Sequence, residues 1–184
     1  MYTLRFDGLF RDLPGTKNGA GRAGVMCYGW LIERHGCLVA HGHGAVAHAQ
    51  KADSNTAEYL ALIEGLDALL DMGVSAEAVD VIGDARSVIE QMRGTAAVSS
   101  SSVKPLYRRA ARLARRLRRV EWLWQPRKYN RQADALTRRA MRQVQHDRTV
   151  FLATIQAMQQ ESPKRFLNLL DLRVYTPGQA TAIQ

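Results

Sequence analysis

The segment from Asn55 to Met72 limits the fold more than any other. Tyr59, Leu62, Ile63, Leu66 and Leu70 recur at i, i+3, i+4, i+7 and i+11, the spacing of one helix face, and Gly73 follows as a stop. The stretch before it has a different period. Residues 2–8 alternate, with Leu4 and Phe6 on one side and Thr3, Arg5 and Asp7 on the other, so they read as a strand that ends with Asp7 on its polar face. Residues 11–24 contain Pro14, Gly15, Asn18, Gly19, Gly21 and Gly24 and read as a loop. Val25–Ile32 and Cys37–Val46 are two further strands around a turn at Arg34-His35-Gly36, which makes the first three strands an antiparallel meander.

After the long helix come a short strand, Ala78–Ile82, and a helix from about Asp84 to Arg93. A flexible connection rich in Ser and Ala, 95–102, leads to a helix over 104–118 that turns Leu106, Ala110, Leu113 and Leu117 inward. Arg108, Arg112, Arg115 and Arg119 form its outer stripe. Val120, Trp122 and Trp124 alternate with Glu121, Leu123 and Gln125 in a last strand, with the tryptophans read as core, and Pro126 ends it. Asn130 is placed to cap a helix running to about Val144. The order βββαβααβα predicts an α/β fold, a mixed five-stranded sheet flanked by helices, over residues 1–144. Residues 145–184 read as a helical extension. Its apolar residues, among them Val150, Phe151, Ile155, Leu167, Leu169, Leu170 and Leu172, suit packing on the core, on a second copy of the chain or on another protein.

Several classes are disfavoured. No apolar run approaches the roughly 20 residues needed to span a bilayer. The stretch Met1–Asp7 lacks a basic region followed by an apolar stretch and a cleavage site, so residence in the cytoplasm is expected. Cys27 and Cys37 read as two buried thiols too far apart to bridge and too few for a zinc site. His41 and His43 share one strand face and are read as sheet-surface residues.

The 184-residue chain has a net charge of +9, but residues 104–148 alone carry fifteen Lys and Arg against Glu121, Asp134 and Asp147. That region is +12 and the remainder −3. A regional excess of this size points to a polyanion, and the stripe of Arg108, Arg112 and Arg115, continued by Arg127 and Lys128, is read as phosphate-contacting rather than merely solvated.

Four carboxylates stand at element ends: Asp7 after the first strand, Glu58 early in the long helix, Asp84 past the fourth strand and Asp134 in the last long helix. Each has a plain structural role available. Asp7 suits a turn, Glu58 a capping box with Asn55, Asp84 a cap for its own helix and Asp134 a pair with Arg138. Convergence of the four would instead suit divalent cations, because hard cations take oxygen ligands and two of them about 4 Å apart can drive phosphodiester hydrolysis.

Local context separates these readings. Phe6-Asp7-Gly8, Asn55-Thr56-Ala57-Glu58-Tyr59-Leu60-Ala61-Leu62, Gly83-Asp84-Ala85-Arg86-Ser87 and Asn130-Arg131-Gln132-Ala133-Asp134-Ala135-Leu136 resemble, in order, four motifs of the type 1 ribonuclease H family. The resemblance covers residues 2–144. It implies a ribonuclease H fold and endonucleolytic cleavage of the RNA strand of RNA–DNA hybrids, leaving a 5′-phosphate. Asp7, Glu58, Asp84 and Asp134 would hold two Mg²⁺ ions, with Mn²⁺ as a substitute, and Glu58 would approach the ribose 2′-hydroxyl. Asn55 would touch the minor-groove side of the hybrid, and the loop at Asn18 and Gly19 would offer backbone groups. Two departures stand out. The loop 125–132 has no histidine, where family members often carry one, and Leu9–Lys17 reads as extra residues in the first loop.

Overall fold

The computed structural model describes residues 1–12, 23–147, 149, 152–154, 156 and 166–176. Strands β1 (Tyr2–Asp12), β2 (Gly24–Arg34) and β3 (Cys37–His48) form the expected antiparallel meander. The β2–β3 turn is made by His35 and Gly36, both at positive φ (52° and 80°). Strand β1 runs four residues past the expected end, to an Asp12–Gly24 pair, because Leu9 to Asp12 continue the ladder with β2 instead of opening a loop. Asn18 and Gly19 fall outside the described residues.

Helix α1 (Ser54–Asp71) is capped by Asp53, whose side chain accepts a 2.6 Å bond from the Thr56 amide. The cap is thus Asp53 rather than the expected Asn55, and it is a single bond with no reciprocal Glu58 contact. Next come β4 (Ala78–Gly83), α2 (Arg86–Arg93), α3 (Lys104–Ala114), β5 (Arg119–Trp124), a 3-10 turn (Arg127–Tyr129) and α4 (Arg131–His146). Ala85, not Asp84, stands at the N-cap of α2, and Arg119 opens β5 rather than extending the α3 stripe. No described helix is long and apolar enough to cross a membrane.

Among the described residues the sheet has six strands, not five, in the order β5-β4-β1-β2-β3-β6. The sixth, β6 (Leu167–Tyr175), comes from the segment expected to be helical and pairs antiparallel with β3. Helical and strand readings of Leu167-Asn168-Leu169-Leu170-Asp171-Leu172 compete locally. A register shift opposite Ala45 and Val46 absorbs the break in its alternation, and the ladder satisfies backbone groups that β3 would otherwise leave unpaired at an edge. Arg173 then reaches across to α1, bonding Glu64 at 2.6 Å and Asp71 at 2.9 Å. Of the helix expected over 145–160, residues 145, 146, 149, 152–154 and 156 are helical and 147 is not; the others lie outside the described residues.

Strand β2 is buried on both faces, which explains its nearly unbroken apolar run. Met26, Tyr28, Trp30 and Ile32 join Leu4, Phe6, Tyr59, Leu62 and Leu66 in the large core beneath α1. Val25 and Cys27 face the other way, into a smaller core with Ala45, Ala47, Ala140, Met141 and Val144 beneath α4. Cys37, read as buried, is exposed at the hairpin end.

Candidate active site

Two glycines let helices approach Asp7 from opposite sides. A Cβ on Gly8 would stand 2.3 Å from the Glu58 amide nitrogen, so α1 reaches β1 only because that position is bare. Gly29 is the partner of Asp7 across the β1–β2 ladder, and a Cβ there would lie 2.8 Å from Ala133 O and from Thr137 N of α4. Asp7 is thus enclosed by a helix on each face of the sheet and is only 3% exposed. Strand β4, parallel to β1, delivers Asp84 just beyond its last residue, Gly83.

Asp7, Glu58 and Asp84 converge, each offering an oxygen within 4.8 Å of the others. Their supports differ. Thr137 Oγ1 donates to Asp7 Oδ2 at 2.6 Å, and Asn130 Nδ2 donates to Asp84 Oδ1 at 3.1 Å. Asn130, expected as a helix cap, makes no side-chain cap bond; its amide also donates to Phe6 O at 2.7 Å, tying the 3-10 turn to β1. Glu58 receives the Gly8 backbone N–H, while its Oε2 is buried with no hydrogen-bond partner.

Burial raises the Asp7 carboxyl to about 6, with the charges of Asp84 and Asp134 adding to the rise and Thr137 and Arg127 opposing it. Burial likewise pushes Glu58 well above the usual carboxylate range, reinforced by Asp7 and Asp84. For both Asp7 and Glu58, burial and neighbouring acids favour the neutral form in the absence of a counter-charge. Oxygen donors, a shared negative charge and an unpartnered buried Glu58 oxygen fit a hard divalent cation.

The fourth carboxylate is arranged differently. Asp134, in the first turn of α4, lies outside the cluster of three; Arg127 bonds its Oδ1 and Arg138 Nε bonds its Oδ2 at 2.6 Å. Burial alone would raise its carboxyl, but the hydrogen bonds from the two guanidinium groups outweigh that and hold it below its ordinary value.

The expected nucleic-acid residues are dispersed. Asn55 is exposed at the start of α1, where its Oδ1 accepts from Ser87 Oγ at 3.1 Å. Arg108, Arg112 and Arg115 line the exposed side of α3, which Arg109 tethers to α1 through Asp67 at 2.8 Å. Lys128 Nζ sits 4.8 Å above the Tyr129 ring. Trp122 is half-buried against the core, but Trp124 is 43% exposed, donates its indole N–H to Asp84 O at 3.1 Å and lies beneath Arg86. His43 is not a surface residue: it is fully buried under α4, with Nε2 2.7 Å from Gln143 Oε1. Sequence reasoning missed Thr137 as an Asp7 ligand, although its spacing of three from Asp134 puts both on one stretch of helix surface. No signal marked Gly29.

The profile of the reverse transcriptase-like family matches residues 6–140. The chain belongs to that family. Its fold is that of the type 1 ribonucleases H, and the matched region takes in all four carboxylates but not β6. A curated relative, the bifunctional protein Rv2228c of Mycobacterium tuberculosis, is 35% identical over 127 residues, 69% of this chain and 33% of the relative. The chain thus matches about a third of that relative's length. Among solved structures, the N-terminal RNase H domain of Rv2228c is 28% identical with a TM-score of 0.62, covering 85% of this chain and 99% of that one. RNase H1 of Halobacterium salinarum is 24% identical with a TM-score of 0.61, over 77% of this chain and 98% of its own. LC11-RNase H1, solved with an RNA/DNA hybrid, is 22% identical with a TM-score of 0.64, over 78% and 98%.

Proposed function

We propose that the protein is a metal-dependent endonuclease that hydrolyses the RNA strand of RNA–DNA hybrids. The observation that carries this reading is the convergence of Asp7, Glu58 and Asp84 around a buried oxygen with no partner of its own. Mg²⁺, or Mn²⁺ in its place, would be held there, with Asp134 at the rim for a second ion; such ions supply charge neutralisation at phosphorus and an activated water. Family membership and the hybrid bound to LC11-RNase H1 support the choice of substrate.

The chain's own residues do the positioning. Thr137 holds Asp7 and Asn130 holds Asp84, so two of the three acids keep their orientation before any ligand arrives. Glu58, fixed by the Gly8 amide, is the acid suited to meet a ribose 2′-hydroxyl, the group by which RNA is told from DNA. Arg108, Arg112 and Arg115 take backbone phosphates, and Asn55, at the exposed start of the helix that carries Glu58, meets the minor-groove side of the duplex. Asn18, Gly19 and Lys128 complete the proposed contact set. Residues 1–144 are the catalytic domain on this reading, in the cytoplasm. The extension serves as a brace through β6, which among the described residues pairs on one side only, and its other edge is offered to a protein partner or a second copy.

Labelled RNA–DNA hybrid, RNA duplex, DNA duplex and single-stranded RNA, each incubated with Mg²⁺, Mn²⁺ or EDTA, test the proposal. Cleavage confined to the RNA of the hybrid and abolished by EDTA is expected. Hybrid binding without metal-dependent cleavage would instead make the protein a binding module that keeps the fold.

A further inference from the structure

Arg127 holds the fourth carboxylate from across the site. It bonds Asp134 Oδ1, and its positive charge also acts on Asp7 and Asp84. Its companion Arg138 is a different kind of partner. Arg138 pairs with Asp134 four residues away along one helix, so α4 itself maintains that contact. Arg127 reaches over from the 3-10 turn of Arg127–Tyr129, and its side chain is 60% exposed against 17% for Asp134. The contact therefore has a fixed half and a half that solvent, or a phosphate, can reach.

We propose that Arg127 is a latch: in the free protein its guanidinium closes Asp134 to a second divalent cation, and a backbone phosphate of the bound nucleic acid draws it away. This is supported by one observation and two physical arguments. Asp134 is the one family carboxylate left out of the cluster of three, and both its oxygens are already bonded to arginines. A divalent cation beside an undisplaced guanidinium would face a like charge at close range, whereas withdrawing Arg127 frees Asp134 Oδ1 while Arg138 stays on Oδ2. The guanidinium itself matches phosphate in two-pronged geometry, so exchange of carboxylate for phosphate keeps its hydrogen bonds. The latch also gives a role to the loop that lacks the family's usual histidine. An arginine there cannot shuttle a proton near neutral pH, but it can couple nucleic-acid arrival to completion of the cation site.

This inference rests on the metal-dependent reading of the same site, and its test is separable from cleavage. Mn²⁺ is titrated into the full chain without nucleic acid, followed by calorimetry and by the electron paramagnetic resonance of free Mn²⁺. In Arg127→Ala and in the longer, polar Arg127→Gln, Mn²⁺ binding beyond the first ion should tighten by about threefold to tenfold, with unchanged thermal unfolding as the folding control. The gain should vanish in Arg127→Ala/Asp134→Asn. In Ca²⁺, where hybrid affinity is measured across salt concentrations, Arg127→Ala should lower the salt slope by about 1. Folded Arg127 variants with unaltered Mn²⁺ binding, a gain that survives Asp134→Asn, or an unchanged salt slope would overturn the latch. A protein that binds Mn²⁺ as described yet cuts no hybrid would overturn the functional reading and leave the latch standing.

Discussion

The two walls around Asp7 solve opposite problems. On the α1 wall Asp7 meets Glu58, a second buried acid whose Oε2 has no partner, and the contact depends on the bare Cα of Gly8. On the α4 wall it meets a hydroxyl, Thr137, and beyond it Asp134, an acid already neutralised by two arginines. On the first wall burial holds Asp7 and Glu58 toward their neutral forms; on the second both carboxylate oxygens of Asp134 are bonded to arginines. The contrast teaches that the four carboxylates are not equivalent: three converge with a buried oxygen unpartnered, and the one on α4 is held by two arginines.

The largest expected effect lies among the uncompensated acids. Asp84→Asn should reduce metal-dependent hybrid cleavage by about a thousandfold or more, while affinity measured by filter binding stays within about threefold, because arginines outside the cluster dominate binding. A matching collapse of affinity would make Asp84 structural and erase the contrast between the walls.

Gly8→Ala tests the α1 wall mechanically. Its Cβ would meet helix backbone, which has no rotamer to yield, so urea unfolding should show a loss of about 2–3 kcal/mol together with weaker metal binding. An unaffected protein would mean that α1 can withdraw without consequence.

A third prediction uses pH. Asp7 has a folded value of about 6 against its ordinary 3.8. The folded protein therefore holds a proton that the unfolded chain releases, so the contribution of Asp7 to stability is fully present below about pH 4 and is lost as pH rises through about 6. Asp7→Asn removes that loss: metal-free stability should rise by about 2 kcal/mol near pH 8 and change little near pH 4. His41 and His43, which burial pushes down, act in the opposite sense below their ordinary 6.5, so the difference between variant and wild type is the quantity to measure. A gain equal at both pH values would show that burial does not raise the Asp7 carboxyl.

The smallest effect belongs to the surface. Arg112→Ala/Arg115→Ala should flatten the salt dependence of hybrid binding by about 2 in slope with little change in stability. An unchanged slope would return that side of α3 to simple solvation and leave binding to the residues around the carboxylates.

Much of this was readable from residues in order. The meander, α1, β4, α2, β5 and α4 follow from periods of 2 and 3.6 over adjacent positions, and the carboxylates follow from motif and place. Local signals failed where the deciding partner is distant. Asn130 does stand at the N-cap of α4, but its side-chain amide goes to Phe6 and Asp84 instead of the helix; His43 looks like a sheet-surface residue until α4 covers it.

Sequence alone determined which acids are present and which elements carry them, because side-chain chemistry and backbone period are local properties. Only the tertiary structure decided that three of those acids share a site while the fourth is held by arginines. It also decided that the leucine-rich extension becomes a sixth strand. Its period is ambiguous on its own, and the unpaired edge of β3, more than a hundred residues away in the chain, supplies the hydrogen bonds that settle it.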